Sequence, residues 1–290
     1  MLKIIINIIN HPLNNGLLFS SLFRFFKWQI ISRFYNYPIL LPFTESSSYL
    51  CWNGLTGLTG NWYYGLMEME EMSFASHMLR DNDVFFDIGA NVGAYSILIS
   101  QHVNCKVFSF EPHPKTFEYL SRNIRIQKNP ELIKIFNYAL GDKSGKVSFT
   151  ENLDTVNHIS LGSNEKSINV EMKILEKLNL PCPSLIKLDV EGFEYQVLKG
   201  ANSVLNNLNL KAIIIEINGS GKNYGISDSE IHDFLISYNF KPFTYDPFKR
   251  QIIKLESYLK HNTIYIRDLQ FCDLRVKKAS KLTLSNGKVL

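Results

Sequence analysis

The sequence is short of several things that would commit it to a specialised class. Its four cysteines, Cys51, Cys105, Cys182 and Cys272, are scattered and form no C-x-x-C pair. That argues against a disulfide framework or a zinc site and fits a reducing cytoplasm. No run reaches the ~18–20 uninterrupted apolar residues that a membrane span needs. The isoleucine-rich start, Ile4 to Ile9, is interrupted by Asn7 and ended by Asn10-His11-Pro12, with no small-residue cleavage site after it, so it does not read as a signal peptide. There is no internal repeat and no long basic run. A net charge of +4 over 290 residues gives no argument for nucleic-acid binding. What remains is globular in composition, 45% apolar and 20% charged. It is long enough for one large α/β domain with an appendage.

The chain is organised around Asp83 to Ser96. Val84, Phe85, Phe86 and Ile88 make a short apolar run that reads as a buried parallel strand. Gly89 and Gly93 bracket a tight turn after it, and Tyr95, Ile97, Leu98 and Ile99 are spaced to pack a helix back onto the sheet. A strand, glycine turn and helix aim backbone N–H groups and a helix N-terminus at a ligand. A pyrophosphate is a poor fit. It wants G-x-G-x-x-G, whereas Asn91 stands two residues after Gly89 and Asp87 ends the strand. A carboxylate beside a glycine turn suits a cationic, amino-acid-like ligand, and S-adenosylmethionine carries both an ammonium and a sulfonium. A β-branched residue at Gly89 is expected to fill the approach to that turn and abolish cofactor binding.

Strands are expected at Lys106–Glu111, Ile133–Tyr138, Leu185–Val190, Ala212–Ile217 and Asn262–Ile266, with a hairpin strand at Lys146–Thr150. Helices are expected after Pro114, after Glu194 and from a capping box at Ser227–Glu230. This alternation implies a doubly wound, mostly parallel α/β sheet whose ligands bind beyond the strand carboxyl ends, where Gly89, Glu111 and Asp189 fall. Glu111 lies 18 residues beyond Gly93, near the ~20 expected of a ribose-binding carboxylate. Residues 1–75 read as a helical or irregular appendage, 76–270 as the catalytic domain and 271–290 as a loose basic tail. Within the appendage, 17–35 reads as an amphipathic helix. Ser20, Ser21, Arg24, Lys27 and Ser32 take one side, and Leu18, Phe19, Leu22, Phe26 and Ile30 the other. It is expected to dock on the catalytic domain or on a dimer partner, with peripheral membrane contact as the alternative. The polar run 151–167 is the candidate for a mobile substrate loop.

Four landmarks, DIGANVGAYS at 87–96, FEPHP at 110–114, ALGD at 139–142 and IKLDVEGFE at 186–194, resemble in order and spacing the FkbM family of class I S-adenosylmethionine-dependent methyltransferases. The resemblance implies a seven-stranded class I methyltransferase sheet with an antiparallel last strand, and O-methylation of a sugar, glycan-precursor or secondary-metabolite hydroxyl. By that likeness Asp87, Gly89, Asn91 and Gly93 hold the methionine end of the cofactor, with Tyr95 and Ser96 in the same set. Glu111 takes the ribose diol and Asp142 the adenine amino group, while Lys187, Asp189 and Glu191 match the charged cluster at the fourth strand. One departure is Leu175-Glu176, where the family usually has Leu-Asp. A sugar hydroxyl needs a base. Asp189 is the first choice and Glu191 the second, with Asp189 as a mere ammonium ligand or helix cap the alternative. Lys187 reads as their ion-pair partner. No metal is assigned, because Asp189 shows no clear second and third ligand beside it; Glu216 either faces the same cleft or pairs at the sheet end. Two other readings stay open: a cofactor-binding but catalytically idle interaction partner, and a nucleotide-binding oxidoreductase, which Asn91 disfavours.

Overall fold

In the computed structural model, which describes residues 2–35, 37–55, 57–151, 157–160 and 166–290, the apolar run Val84–Ile88 is the strand at which the sheet reverses direction. The chain begins with helices α1 (Leu2–Asn10) and α2 (Leu18–Phe34), a hairpin of β1 (Ile39–Pro42) and β2 (Ser48–Cys51), and helices α3 (Thr59–Tyr64) and α4 (Met69–Met78). Then come β3 (Val84–Ile88), α5 (Ala94–Leu98), β4 (Lys106–Phe110), α6 (Pro114–Arg125) and β5 (Ile133–Phe136). Three strands follow, β6 (Ala139–Leu140), β7 (Gly145–Thr150) and β8 (Ser167–Lys173). The second half holds β9 (Leu185–Leu188), α7 (Glu194–Lys199), α8 (Asn202–Asn206), β10 (Ala212–Glu216), α9 (Asp228–Ser237), β11 (Lys241–Asp246), β12 (Gln251–Lys254), β13 (Asn262–Ile266) and α10 (Leu269–Lys277).

The main sheet runs β12-β11-β13-β10-β9-β3-β4-β5. Its five strands from β10 to β5 are parallel, and β13 pairs antiparallel to β10. This is the doubly wound class I arrangement expected of seven strands, widened by β12, which hairpins antiparallel onto β11 as an eighth. Neighbouring residues of each central strand feed opposite cores. Phe85 and Ile214 pack with α4, α5 and the N-terminal segment, while Phe86, Ile213 and Ile215 pack with α7 and α9. Burial on both faces explains the unbroken apolar runs. β6, β8 and β7 form a separate small sheet, and β8 was not legible as a strand.

Two expectations are corrected. Residues after 270 are folded, not loose. Arg275 of α10 pairs with Asp83, and Arg80 Nη2 donates to the Arg275 carbonyl at 2.7 Å. Leu282 and Leu290 exchange backbone hydrogen bonds, and both side chains are buried. Helix α2 is also turned over. Its inward face is Ser21, Phe25, Trp28 and Ser32, so Ser21 and Ser32 of the side read as polar lie inside, while Ser20 and Lys27 stay exposed together with Phe19, Phe26 and Ile30. A buried polar chain explains this. Asn14 Nδ2 donates to the Ile8 carbonyl (2.9 Å), Ser21 Oγ donates to Asn14 Oδ1 (2.7 Å), and Arg24 donates to Ser21 Oγ (2.9 Å). Satisfying those groups requires the serine face inward. The segment shares its core with the sheet, since Ile8, Leu13, Phe25 and Trp28 join the cluster that holds Phe85 and Ile97.

Gly89 is also a structural necessity. At φ +83° a Cβ would lie 1.7 Å from the Asp189 carbonyl oxygen, so a side chain meets the neighbouring backbone before it meets any ligand. The expectation that a bulky residue there acts through the cofactor's approach is therefore revised. Gly89→Ala should lower the melting midpoint of the ligand-free protein. The backbone conformation alone costs about 1–3 kcal/mol, and the clash adds to it. An unchanged midpoint in scanning fluorimetry would refute this.

Candidate active site

The turn after β3 is built from its own backbone. Gly89 and Ala90 N–H groups both donate to the Phe110 carbonyl at 3.0 Å, and Gly93 N–H to Ala90 at 2.9 Å. Asn91 takes a left-handed conformation (φ +49°), as does Gly93 (φ +97°). Asparagine tolerates that region better than most residues. The Asn91 N–H donates to Glu111 Oε2 (3.0 Å) and the His113 N–H to Oε1 (2.8 Å). Two backbone donors thus hold the Glu111 carboxylate at the end of β4, facing the cavity. Burial pushes its pKa up to about 7 against the pull of those two donors.

Asp87 is buried on β3 and accepts from Ser96 Oγ at 2.5 Å; Ser96 also shares a 2.7 Å hydrogen bond with Ser109. Ser96 therefore positions Asp87 from behind and does not line the cavity. Desolvation raises Asp87 to about 6, with the Ser96 hydroxyl opposing. Across the strand pair Asp87 is in register with Lys187. Lys187, 4% exposed, pairs with Asp189, and its ammonium lies 5.4 Å from the Tyr95 ring centroid. Burial alone would lower the lysine, but the carboxylates of Asp189, Glu68 and Asp87 outweigh it and hold the ammonium above its ordinary value. Tyr95 in turn donates to Glu68 Oε2 at 2.6 Å.

These groups open onto a cavity of about 330 Å³ at the carboxyl ends of β3, β4, β9 and β10, the switch point of the sheet. Gly89, Asn91, Tyr95, Glu111, Asp87, Lys187, Asp189 and Glu191 all line it. Gly93 is not among the lining residues but sets the start of α5, where a Cβ would come 2.7 Å from Leu120. Asp142 is apart: it is exposed and pairs with Lys199 at 3.4 Å, away from the cavity. Glu68, Asn61, Thr116 and Phe149 also line the cleft; no motif marks them, because they arrive from helices α3, α4 and α6 near their ends and from strand β7 of the small sheet, all outside the main sheet. Of the expected substrate loop, residues 152–156 and 161–165 lie outside the described residues, while Asn157 lines the cavity.

Glu216 joins the cleft from the end of β10. Carboxylate oxygens of Asp189, Glu191 and Glu216 all lie within 4.8 Å of one another, so the second and third carboxylates missing from the sequence reading are present. Such a trio can hold a divalent cation or share protons. Burial, then the charges of Asp189 and Glu191, raise Glu216 to about 8; burial, then Asp189 and Glu194, raise Glu191 to about 7. Glu191 keeps φ +55°, a strained conformation for a non-glycine residue and one that concentrates at working sites.

A raised carboxylate pKa makes the folded state bind more protons than the unfolded chain. Glu216 therefore contributes least stability above its folded value, and its contribution is lost as pH rises from ~4.5 towards 8. Glu216→Gln mimics the protonated acid. It should melt with the parent near pH 5 and above it at pH 8; equal or lower midpoints at pH 8 would contradict the burial argument.

Residues 87–242 match the family model "Methyltransferase FkbM domain", a span that carries the glycine turn, Glu111, Lys187, Asp189, Glu191 and Glu216. The chain is 33% identical over 142 residues to "Hexuronic acid methyltransferase AglP" of Haloferax volcanii, covering 48% of this chain and 57% of that protein. It is 23% identical over 187 residues to "Methyltransferase sdnD" of Sordaria araneosa, covering 48% and 72%. Among solved structures, methyltransferase FkbM of Methylobacillus flagellatus KT aligns with a TM-score of 0.45 at 14% identity, over 65% of this chain and 44% of that one. The chain thus spans just over half the length of the Haloferax relative.

Proposed function

The chain belongs to the FkbM methyltransferase family, whose cofactor is S-adenosylmethionine, and from that premise we propose that it methylates a hydroxyl of a sugar, glycan precursor or related metabolite. The observation that carries the reading is the convergence of Asp189, Glu191 and Glu216 beside the glycine turn, in a cavity lined by six carboxylates against the single cation Lys187 among its described residues. The donor set fits a ligand that is cationic at its amino-acid end. Gly89 and Asn91 cradle that end, Asp87 sits beneath it, and Glu111, already oriented by two N–H donors, accepts from the ribose hydroxyls. When bound, the cofactor supplies an electrophilic methyl group.

The chain's residues do the rest. Lys187 pairs with Asp189 and holds it in place. Glu191, with a pKa near 7, is the better base for an acceptor hydroxyl, since proton transfer is most effective when the base titrates near the working pH. Asp189 becomes the residue that orients it, and Glu216 holds a second proton next to it. A hexuronic acid named for one relative supports a polyhydroxylated acceptor. An idle cofactor-binding partner would have no use for a cleft carboxylate trio in which Glu191 and Glu216 titrate near neutrality.

Binding and chemistry separate in two variants. Glu111→Ala should weaken S-adenosylmethionine at least about tenfold by calorimetry, since charge-assisted hydrogen bonds contribute about 1.5–3 kcal/mol each. Glu191→Gln should keep cofactor affinity within about twofold and lower the methyl-transfer rate by about 10²–10⁴. An unaltered dissociation constant in the first removes Glu111 from the ribose site. Normal turnover in the second removes Glu191 as the base.

A further inference from the structure

The side of α2 that faces away from the protein is its most apolar one. Among the described residues, 22 large hydrophobic side chains are exposed, and 13 of them fall between Leu2 and Leu40. At 3.6 residues per turn, Phe19, Phe23, Phe26, Ile30 and Phe34 lie in one unbroken stripe, each between 49% and 88% exposed. Helix α1, packed on α2, adds exposed Ile4, Ile6 and Ile9. An apolar face of this size on a soluble domain marks a contact surface.

Charge identifies what covers it. Residues 1–44 contain four basic residues, Lys3, Arg24, Lys27 and Arg33, and no aspartate or glutamate. Removing those four cations leaves 27 basic and 27 acidic residues in the rest of the chain, so the entire net charge of +4 belongs to this segment. Lys3, Lys27 and Arg33 are exposed, and Lys27 and Arg33 flank the phenylalanine stripe on the helix. A second copy packed symmetrically on the same face would bring like charges together with no acidic partner in the segment. An anionic lipid surface meets both demands, with acyl chains for the rings and phosphates for the cations. Among the described residues no helix is long and apolar enough to cross a membrane, so the contact is interfacial.

We infer that α1 and α2 form a docking surface for an anionic lipid bilayer, with the α2 stripe in the headgroup–acyl boundary and Lys3, Lys27 and Arg33 on lipid phosphates. This stands apart from the chemistry of the cleft, and its test needs no turnover. The full chain is sedimented with sucrose-loaded vesicles of phosphatidylcholine, with or without phosphatidylglycerol. It should pellet with the mixed vesicles, at least about tenfold more weakly with phosphatidylcholine alone, and less as salt rises. Phe23→Ser/Phe26→Ser should abolish pelleting while keeping the parent's melting midpoint, because both rings are already exposed. Lys27→Glu/Arg33→Glu should lose the preference for phosphatidylglycerol. The inference falls if the parent stays in the supernatant, or if both variants pellet as the parent does. It also falls if the parent is a dimer that Phe23→Ser/Phe26→Ser dissociates and neither form takes up vesicles, which makes a second copy the occupant.

Discussion

The cleft depends on one buried cation. Lys187 stands on β9 in register with Asp87 of β3, pairs with Asp189 and lies against the Tyr95 ring. Without it the floor of the cavity would be Asp87, Asp189, Glu68, Glu191 and Glu216 with nothing to balance them. An ammonium this deep is costly unless paired, and carboxylates this close cannot all ionise unaided. Their mutual dependence sets the charge state of the cavity. The lysine is held charged, Asp189 is its partner, and burial raises Asp87, Glu191 and Glu216 so that these three hold protons towards neutral pH. A cleft with six carboxylates and one lysine among its described lining residues has room for one more positive charge, which a sulfonium cofactor would bring.

The glycine turn ties this electrostatic floor to the sheet. Because Gly89 lets the β3 exit pass against the Asp189 carbonyl, the backbone that shapes the cofactor end and the backbone that carries the carboxylate trio are in contact. On the proposed reading the same residue would serve packing and ligand approach, and enlarging it could not separate the two. Glu111 shows the opposite economy. Its carboxylate is aimed by N–H groups of Asn91 and His113, so its orientation is set by the chain's own backbone.

Much of this was legible because it is local. The apolar runs of β3, β4, β9, β10 and β13, the capping box at Ser227 and the placing of Gly89, Glu111 and Asp189 on one sheet edge follow from short patterns. What was not legible depends on tertiary pairing. β8 is a polar strand that exists because β7 lies beside it. The C-terminal residues are folded by Arg275 finding Asp83 and by Leu282 finding Leu290. Helix α2 has apolar residues all round, and its docking face was decided by Ser21 meeting Asn14, which a period of 3.6 does not encode. Asp142 lies outside the cavity, because the chain turns there into the small sheet through β6. Glu216 required knowing that β10 sits next to β9.

The account stands on methyl transfer to a hydroxyl driven by this cleft, and the structure of the product tests it most directly. Purified protein would be given methyl-labelled S-adenosylmethionine and the soluble and polysaccharide precursors of its own host cells, and the labelled product analysed after alkaline treatment. The account predicts label in a base-stable methyl ether on a sugar or other polyol carbon, absent when the protein is omitted. Label that leaves as a base-labile ester, label on nitrogen, or no label despite tight cofactor binding would contradict it.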